Sequence, residues 1–163
     1  MSERGRLTIR VGKNTLAFAM TDATNLEQPV TYEPYVVKSG VSMAANLREA
    51  FKTTDILTKD FRRVQVLLDS KVLMVPVEQF EEADIETIYR HSFPQSQQDS
   101  VVYNVVPDLN AVALFCINKD LRTVINDHFD EVKLIHVMAP VWRYLHQRSF
   151  TGHRNKLYGY FHD

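Results

Sequence analysis

The chain opens with two short runs of alternating apolar residues separated by a turn, and this feature constrains the fold most. Residues 7–11 alternate Leu, Ile and Val with polar residues, and residues 16–20 resume the alternation with Leu16, Phe18 and Met20. A period of two is typical of a strand with one buried face. We therefore expect a β-hairpin whose turn is built on Gly12, with Gly12 supplying a positive φ.

The hairpin is followed by a third strand and a helix. Tyrosines and valines of residues 32–37 predict the strand, which should end at Ser39-Gly40. Ser42 is placed to cap the helix, and the helical period divides the following residues into two faces. The face expected to be buried carries Met43, Leu47, Ala50 and Phe51, and the face expected to be exposed carries Asn46, Arg48, Glu49 and Lys52.

The rest of the chain alternates strands and helices. Residues 64–68 and 72–75 are nearly continuous apolar runs, which predict strands buried on both faces. Next we expect a helix over 78–89, which packs through Ile85, Ile88 and Tyr89, and a mobile loop over 93–100. Strands are expected over 101–106 and 111–117, followed by a helix that is capped by Asn118 and has an apolar stripe of Leu121, Val124, Ile125 and Phe129. The last expected elements are a strand over 132–137 and a helix from Pro140 to about Arg148. This order predicts an α/β fold, a mixed β-sheet with helices packed on its faces.

Composition restricts the kind of protein. A length of 163 residues, 45% hydrophobic and 24% charged, fits one soluble domain with its own core. The single cysteine excludes an internal disulfide and a thiolate-rich zinc site. A net charge of -1 gives no overall field for polyanions, and no apolar run is long enough to span a membrane. We expect a cytoplasmic protein with no membrane association.

Few residues suggest chemistry. Backbone amides of a turn such as that at residues 10–15 can bind phosphate, but neither a Walker pattern nor GxGxxG is present, and a plain hairpin turn is the better interpretation. Cys116 lies in an apolar run, which favours a buried structural thiol over a nucleophile. His146, His153 and His162 cluster in sequence without metal-ligand spacing. We assign no catalytic residue, no metal ligand and no cofactor.

Two charged stretches have two interpretations each. The basic and aromatic carboxyl-terminal stretch could bind single-stranded nucleic acid, but an amphipathic helix with Trp142 and Leu145 in the core is favoured. The acidic stretch is favoured as a solvated surface. The first stretch comprises Trp142, Arg143, Tyr144, His146, Arg148, His153, Arg154, Lys156, Tyr158 and Tyr160, and the second comprises Glu78, Glu81, Glu82, Asp84 and Glu86.

The opening hairpin, the third strand, the helix capped at Ser42 and the paired apolar strands together resemble an uncharacterised bacterial family with an actin-like ATPase fold. The resemblance implies a ribonuclease H-like lobe over residues 1–156. It also implies a second lobe after the first one. Residues 157–163 resemble the first strand of that second lobe. In working actin-like ATPases the first hairpin bears an Asp-x-Gly that helps to hold metal and phosphates, whereas the matching residues here are Arg10, Val11 and Gly12. A cation at Arg10 cannot hold Mg²⁺.

These observations favour a non-catalytic cytoplasmic domain that binds protein, with self-association as one form of that binding. One alternative is a nucleotide-binding ATPase-like or switch protein that needs its second lobe. Another is weak nucleic-acid binding through the basic-aromatic carboxyl end, which we regard as the least favoured.

Overall fold

The computed structural model describes residues 5–22, 24, 27, 29–151 and 159–160. It contains eight strands and four α-helices within these residues. They are β1 (Arg6–Val11), β2 (Leu16–Thr21), β3 (Val30–Tyr35), α1 (Met43–Thr53), β4 (Arg63–Leu68), β5 (Leu73–Pro76), α2 (Ile85–Ser92), β6 (Asp99–Val106), β7 (Ala111–Asn118), α3 (Lys119–His128), β8 (Val132–His136) and α4 (Ala139–Phe150).

A five-stranded mixed sheet with the order β3-β2-β1-β4-β8 forms the centre of the molecule. The strands β3, β2 and β1 pair antiparallel, as the hairpin pattern predicts, and β4 and β8 continue parallel to β1. The main core includes Phe18 and Val66 from the sheet, Leu47 from α1 and Ile125 from α3, all fully buried. The predicted α/β fold with a mixed sheet is confirmed.

A second, antiparallel sheet of three strands, β5-β7-β6, lies between β4 and β8 in the chain. Its central strand, β7, is buried on both faces: Phe115 and Ile117 belong to the main core, whereas Val112 and Leu114 belong to a second core with Tyr89 of α2. In the sequence, residues 111–117 form an uninterrupted apolar run, which is typical of a strand that is buried on both faces.

Two-sided burial was expected instead for residues 64–68 and 72–75, and this expectation is wrong. The strands lie in different sheets, and burial alternates along both of them. In β5, Met74 is exposed between half-buried Leu73 and buried Val75. An apolar run of four or five residues does not distinguish one covered face from two.

Several boundaries also differ from expectation. The third strand ends at Tyr35, and Val36 is 88% exposed. The helix expected over 78–89 is split into two short 3₁₀ turns before α2, because apolar residues at helical spacing begin only at Ile85. The loop expected over 93–100 is shorter, since β6 begins at Asp99.

Gly12 does not have the positive φ that we expected for the hairpin turn. Among the described glycines, Gly40 has a positive φ, of 74°. The N–H of Gly12 donates to the Thr15 carbonyl at 2.9 Å. A Cβ at residue 12 would collide with Oγ1 of Thr15. Gly12 is therefore required by the close approach of Thr15 and not by its backbone conformation.

The amino end of α1 is fixed by a polar residue that we expected to face solvent. Ser42 Oγ accepts from the Ala45 N–H at 3.1 Å, so the predicted cap is confirmed. Asn46, however, is 1% exposed. Its Oδ1 accepts from the Lys38 N–H at 2.8 Å and its Nδ2 donates to the Ser42 carbonyl at 3.0 Å. Asn46 faces inward because its side-chain amide makes hydrogen bonds to backbone groups of the segment that leads into the helix.

Replacing Asn46 with leucine should lower the free energy of unfolding by about 2 to 3 kcal/mol, because buried backbone groups lose their partners while the volume is retained. Urea unfolding followed by circular dichroism measures this loss. Arg48→Leu, on the exposed side of the same helix, is the matched control and should change stability by less than about 0.5 kcal/mol. Equal stability of the two variants would contradict the assigned role of Asn46.

Candidate functional site

The carboxyl ends of β1, β4 and β8 meet at one edge of the main sheet, where parallel α/β sheets usually bind ligands. Backbone bonds hold these ends together: the Asp69 N–H donates to the Val11 carbonyl, and the Val137 N–H donates to the Leu68 carbonyl, both at 2.9 Å. The hairpin turn, the residues after β4 and the residues after β8 therefore form a continuous edge.

The hairpin turn itself is poorly suited to hold a metal-bound phosphate. The Gly12 N–H is used inside the turn by Thr15. Arg10, which the resemblance places at the acid position of the Asp-x-Gly pattern, is exposed on β1. The carboxylate brought to this edge is that of Asp69, which is half-buried and whose backbone pairs with Val11. Asp69 was not singled out from the sequence, although its position directly after a parallel strand was a usable signal.

His136 closes the edge from the inside and was also missed. It is 2% exposed at the end of β8. Its Nε2 lies 2.8 Å from the Ser70 carbonyl, and its Nδ1 lies 3.1 Å from the Met138 N–H. A ring nitrogen that faces an N–H accepts, so Nδ1 is the acceptor and Nε2 is the nitrogen that donates to the Ser70 carbonyl in this geometry. His136 thus joins the loops after β4 and β8.

Trp142 of α4 covers His136. The two rings stack with centroids 5.7 Å apart and planes 7° from parallel. The expected placement of Trp142 and Leu145 in the core is only partly right, since both are half-buried and no residue of α4 is fully buried. The indole face on the His136 side is occupied by the imidazole.

A side chain from the second sheet completes the exposed edge of β8. The Asn104 Nδ2 donates to the Leu134 carbonyl at 2.9 Å, and its Oδ1 accepts from the His136 N–H at 3.1 Å. One amide therefore makes the two bonds that a neighbouring strand would make. This protects the edge strand from pairing with another chain and links the two sheets.

A separate cavity of about 480 Å³ opens beside the second core, and Cys116 lines it together with Tyr89, Asp99, Lys71 and Phe93. The Cys116 Sγ lies 3.2 Å from the Tyr89 hydroxyl and 3.5 Å from Oδ2 of Asp99. The Tyr89 hydroxyl oxygen also lies 2.7 Å from the Lys71 carbonyl oxygen. Cys116 is thus half-buried at a cavity wall and not fully buried, which corrects the expectation for this thiol.

The chemistry of this cavity disfavours a reactive thiolate. Burial raises the pKa of Cys116, the Tyr89 hydroxyl bond lowers it, and the nearby Asp99 carboxylate raises it. Burial likewise raises the pKa of Tyr89, and its bond to Cys116 adds to that rise. A thiol with a raised pKa stays protonated at neutral pH and is a weak nucleophile.

The other residues considered from the sequence do not converge on a site. His146 lies 3.9 Å from Oδ1 of Asp108, whereas His153 and His162 lie outside the described residues. Within the part of the chain that is described, no group of three His, Cys, Asp or Glu side chains could hold a metal ion. The five acidic residues of 78–86 are exposed, as expected. The strand expected at 157–163 falls almost wholly outside the described residues.

Comparison with known proteins agrees with this architecture. The model of a family described as protein of unknown function (DUF3822) matches residues 1–163. The chain belongs to this family. No curated protein matches the sequence.

A solved structure from Bacteroides thetaiotaomicron VPI-5482, described as a protein with actin-like ATPase fold and unknown function, is similar to the DUF3822 chain. The TM-score is 0.81 at 27% identity, and the match covers 93% of this chain. The chain spans 59% of the length of that solved protein. The actin-like, ribonuclease H-like fold inferred from the opening elements is confirmed. Of the described helices, none is long and apolar enough to cross a membrane.

The pKa assignment for Cys116 predicts opposite effects of two conservative variants. Tyr89→Phe removes a bond to the thiolate and should move the midpoint of iodoacetamide reaction to higher pH. Asp99→Asn removes a repelling charge and should move that midpoint to lower pH. Alkylation followed by mass spectrometry up to about pH 10 measures both.

The unfolded chain is the reference for this experiment, because its thiol should react at lower pH than the folded one. Shifts in the same direction for the two variants would contradict the assigned roles of Tyr89 and Asp99.

Proposed function

We propose that this chain is a non-catalytic actin-like lobe of a cytoplasmic, bacterial protein and that it acts by binding protein through α4. The observation that carries the proposal is the poor packing of α4, which has no fully buried residue. Tyr144 is 56% exposed and Phe150 is 76% exposed on this helix. Exposed rings grouped on one helix are typical of a surface that is covered by a partner.

The carboxyl edge supports the non-catalytic part of the proposal. The hairpin carries Arg10 where working actin-like ATPases carry an acid, and the Gly12 amide is used within the turn. Mg²⁺ is usually bound by carboxylates together with substrate phosphates. A guanidinium at this position repels the metal that ATP hydrolysis requires.

A nucleotide-dependent switch that needs a second lobe is the alternative that one observation favours. Asp69 brings a carboxylate to the turn in which the hairpin acid is missing. In that case Asp69 would take over the contact with the metal ion through its side chain. Nucleic-acid binding is the third candidate, and for it one face of the Trp142 ring is already taken by His136.

Thermal unfolding with and without millimolar Mg-ATP separates the two candidates. A ligand that binds only the folded state raises its stability by mass action. We expect no rise in the melting temperature that depends on Asp69. A rise that Asp69→Asn removes and that Arg48→Gln leaves intact would favour the nucleotide switch.

The α4 surface is tested by site-specific photo-crosslinking in cells. A photoreactive phenylalanine analogue at residue 144 should give a discrete crosslinked product, because the partner covers this exposed position. The same analogue at Arg48, which is exposed on α1, is the control and should not give that product. Identical patterns from the two positions would contradict binding through α4.

A further inference from the structure

A groove of about 580 Å³ lies beside α4 on the face of the main sheet opposite the core, and its walls are strongly basic. Of the residues that the structure describes, five with cationic side chains line it, against the single carboxylate of Glu131. They are Arg6, Arg62, Arg63, Lys133 and Arg143. The overall charge of the chain is -1, so this concentration of positive charge is local.

The strand register explains why these charges converge. Arg6 of β1 is paired directly with Arg63 of β4, and Gln65 of β4 is paired with Lys133 of β8. Side chains two residues apart on a strand share a face, so these cations point to the same side of the sheet. That face is the one opposite Val64 and Val66, which point into the core. Helix α4 adds Arg143 from above the sheet.

Among the described residues, the cations of the basic groove outnumber the carboxylates that line it. Like charges on directly paired strand positions destabilise a sheet. All five cations are exposed, and none forms an ion pair with another described residue. The arginines also offer planar guanidinium groups, which bind phosphate oxygens through two parallel hydrogen bonds.

We propose that this groove binds a compact oligophosphate anion. A chain of linked phosphates supplies several negative charges within the size of a small-molecule site, which matches both the charge and the volume. No aromatic side chain of the described residues lines the groove, so these residues offer no ring on which nucleic-acid bases could stack. The groove recognises phosphate charge and not a base.

This site is distinct from the edge at which the fold family binds nucleotides. Arg6, Arg63 and Val132 begin their strands, whereas the hairpin turn and Asp69 follow the opposite ends. Arg6 and Arg10 lie on the same strand and the same face, four residues apart, which corresponds to about 13 Å. Arg10 is therefore a matched control for Arg6.

Isothermal titration calorimetry with tripolyphosphate tests the proposal. We expect saturable binding that weakens as the salt concentration rises. Arg6→Gln and Arg143→Gln should each weaken binding by about tenfold, the usual effect of losing one charge-assisted hydrogen bond. Arg10→Gln should leave the affinity unchanged. Circular dichroism verifies that each exposed-site variant is folded.

Three results would overturn the proposal. The first is absence of binding at millimolar tripolyphosphate. The second is an equal loss in Arg10→Gln and Arg6→Gln, which would mean a general charge effect. The third is tight binding of a short oligothymidylate without binding of tripolyphosphate, which would identify a nucleic-acid surface instead.

Discussion

Strand β7 holds the molecule together because its two faces serve two different cores. Residues from Val112 to Phe115 are all at most 1% exposed, so neither face can be uncovered without exposing large apolar side chains. The three-stranded sheet is therefore an integral part of the lobe and not an independent module. The same strand carries Cys116 to the cavity, and Phe115 meets His136 edge-on at 5.5 Å, which supports the carboxyl edge from below.

Local periodicity predicted most elements, because apolar spacing and capping residues act over a few positions. The hairpin, the caps at Ser42 and Asn118 and the start of α4 near Pro140 follow from such signals. Tertiary partners are not encoded locally, and this explains the errors. Asn46 has a polar side chain that the pattern assigns to solvent, yet its bonds to Lys38 and Ser42 bury it.

The site was harder to predict than the fold for the same reason. Asp69 and His136 are far apart in sequence, and only the parallel pairing of their strands places them on one edge. Both follow or end a strand, so the sheet order would have identified them. Cys116 was assigned to a buried run, whereas the register of β7 places it at a cavity wall beside Asp99.

The two ends of the parallel strands have different chemistry, and this difference bears on what an actin-like lobe of this kind can do. At one end Arg10 occupies the hairpin position at which the resemblance to actin-like ATPases implies a metal-binding acid, and backbone groups bond to one another. At the other end Arg6 and Arg63 are directly paired, and five cationic side chains of the described residues face the carboxylate of Glu131. Fold alone does not determine function. The proposed anion groove lies at the end of the parallel strands opposite the hairpin turn, so it does not depend on whether that turn binds a nucleotide.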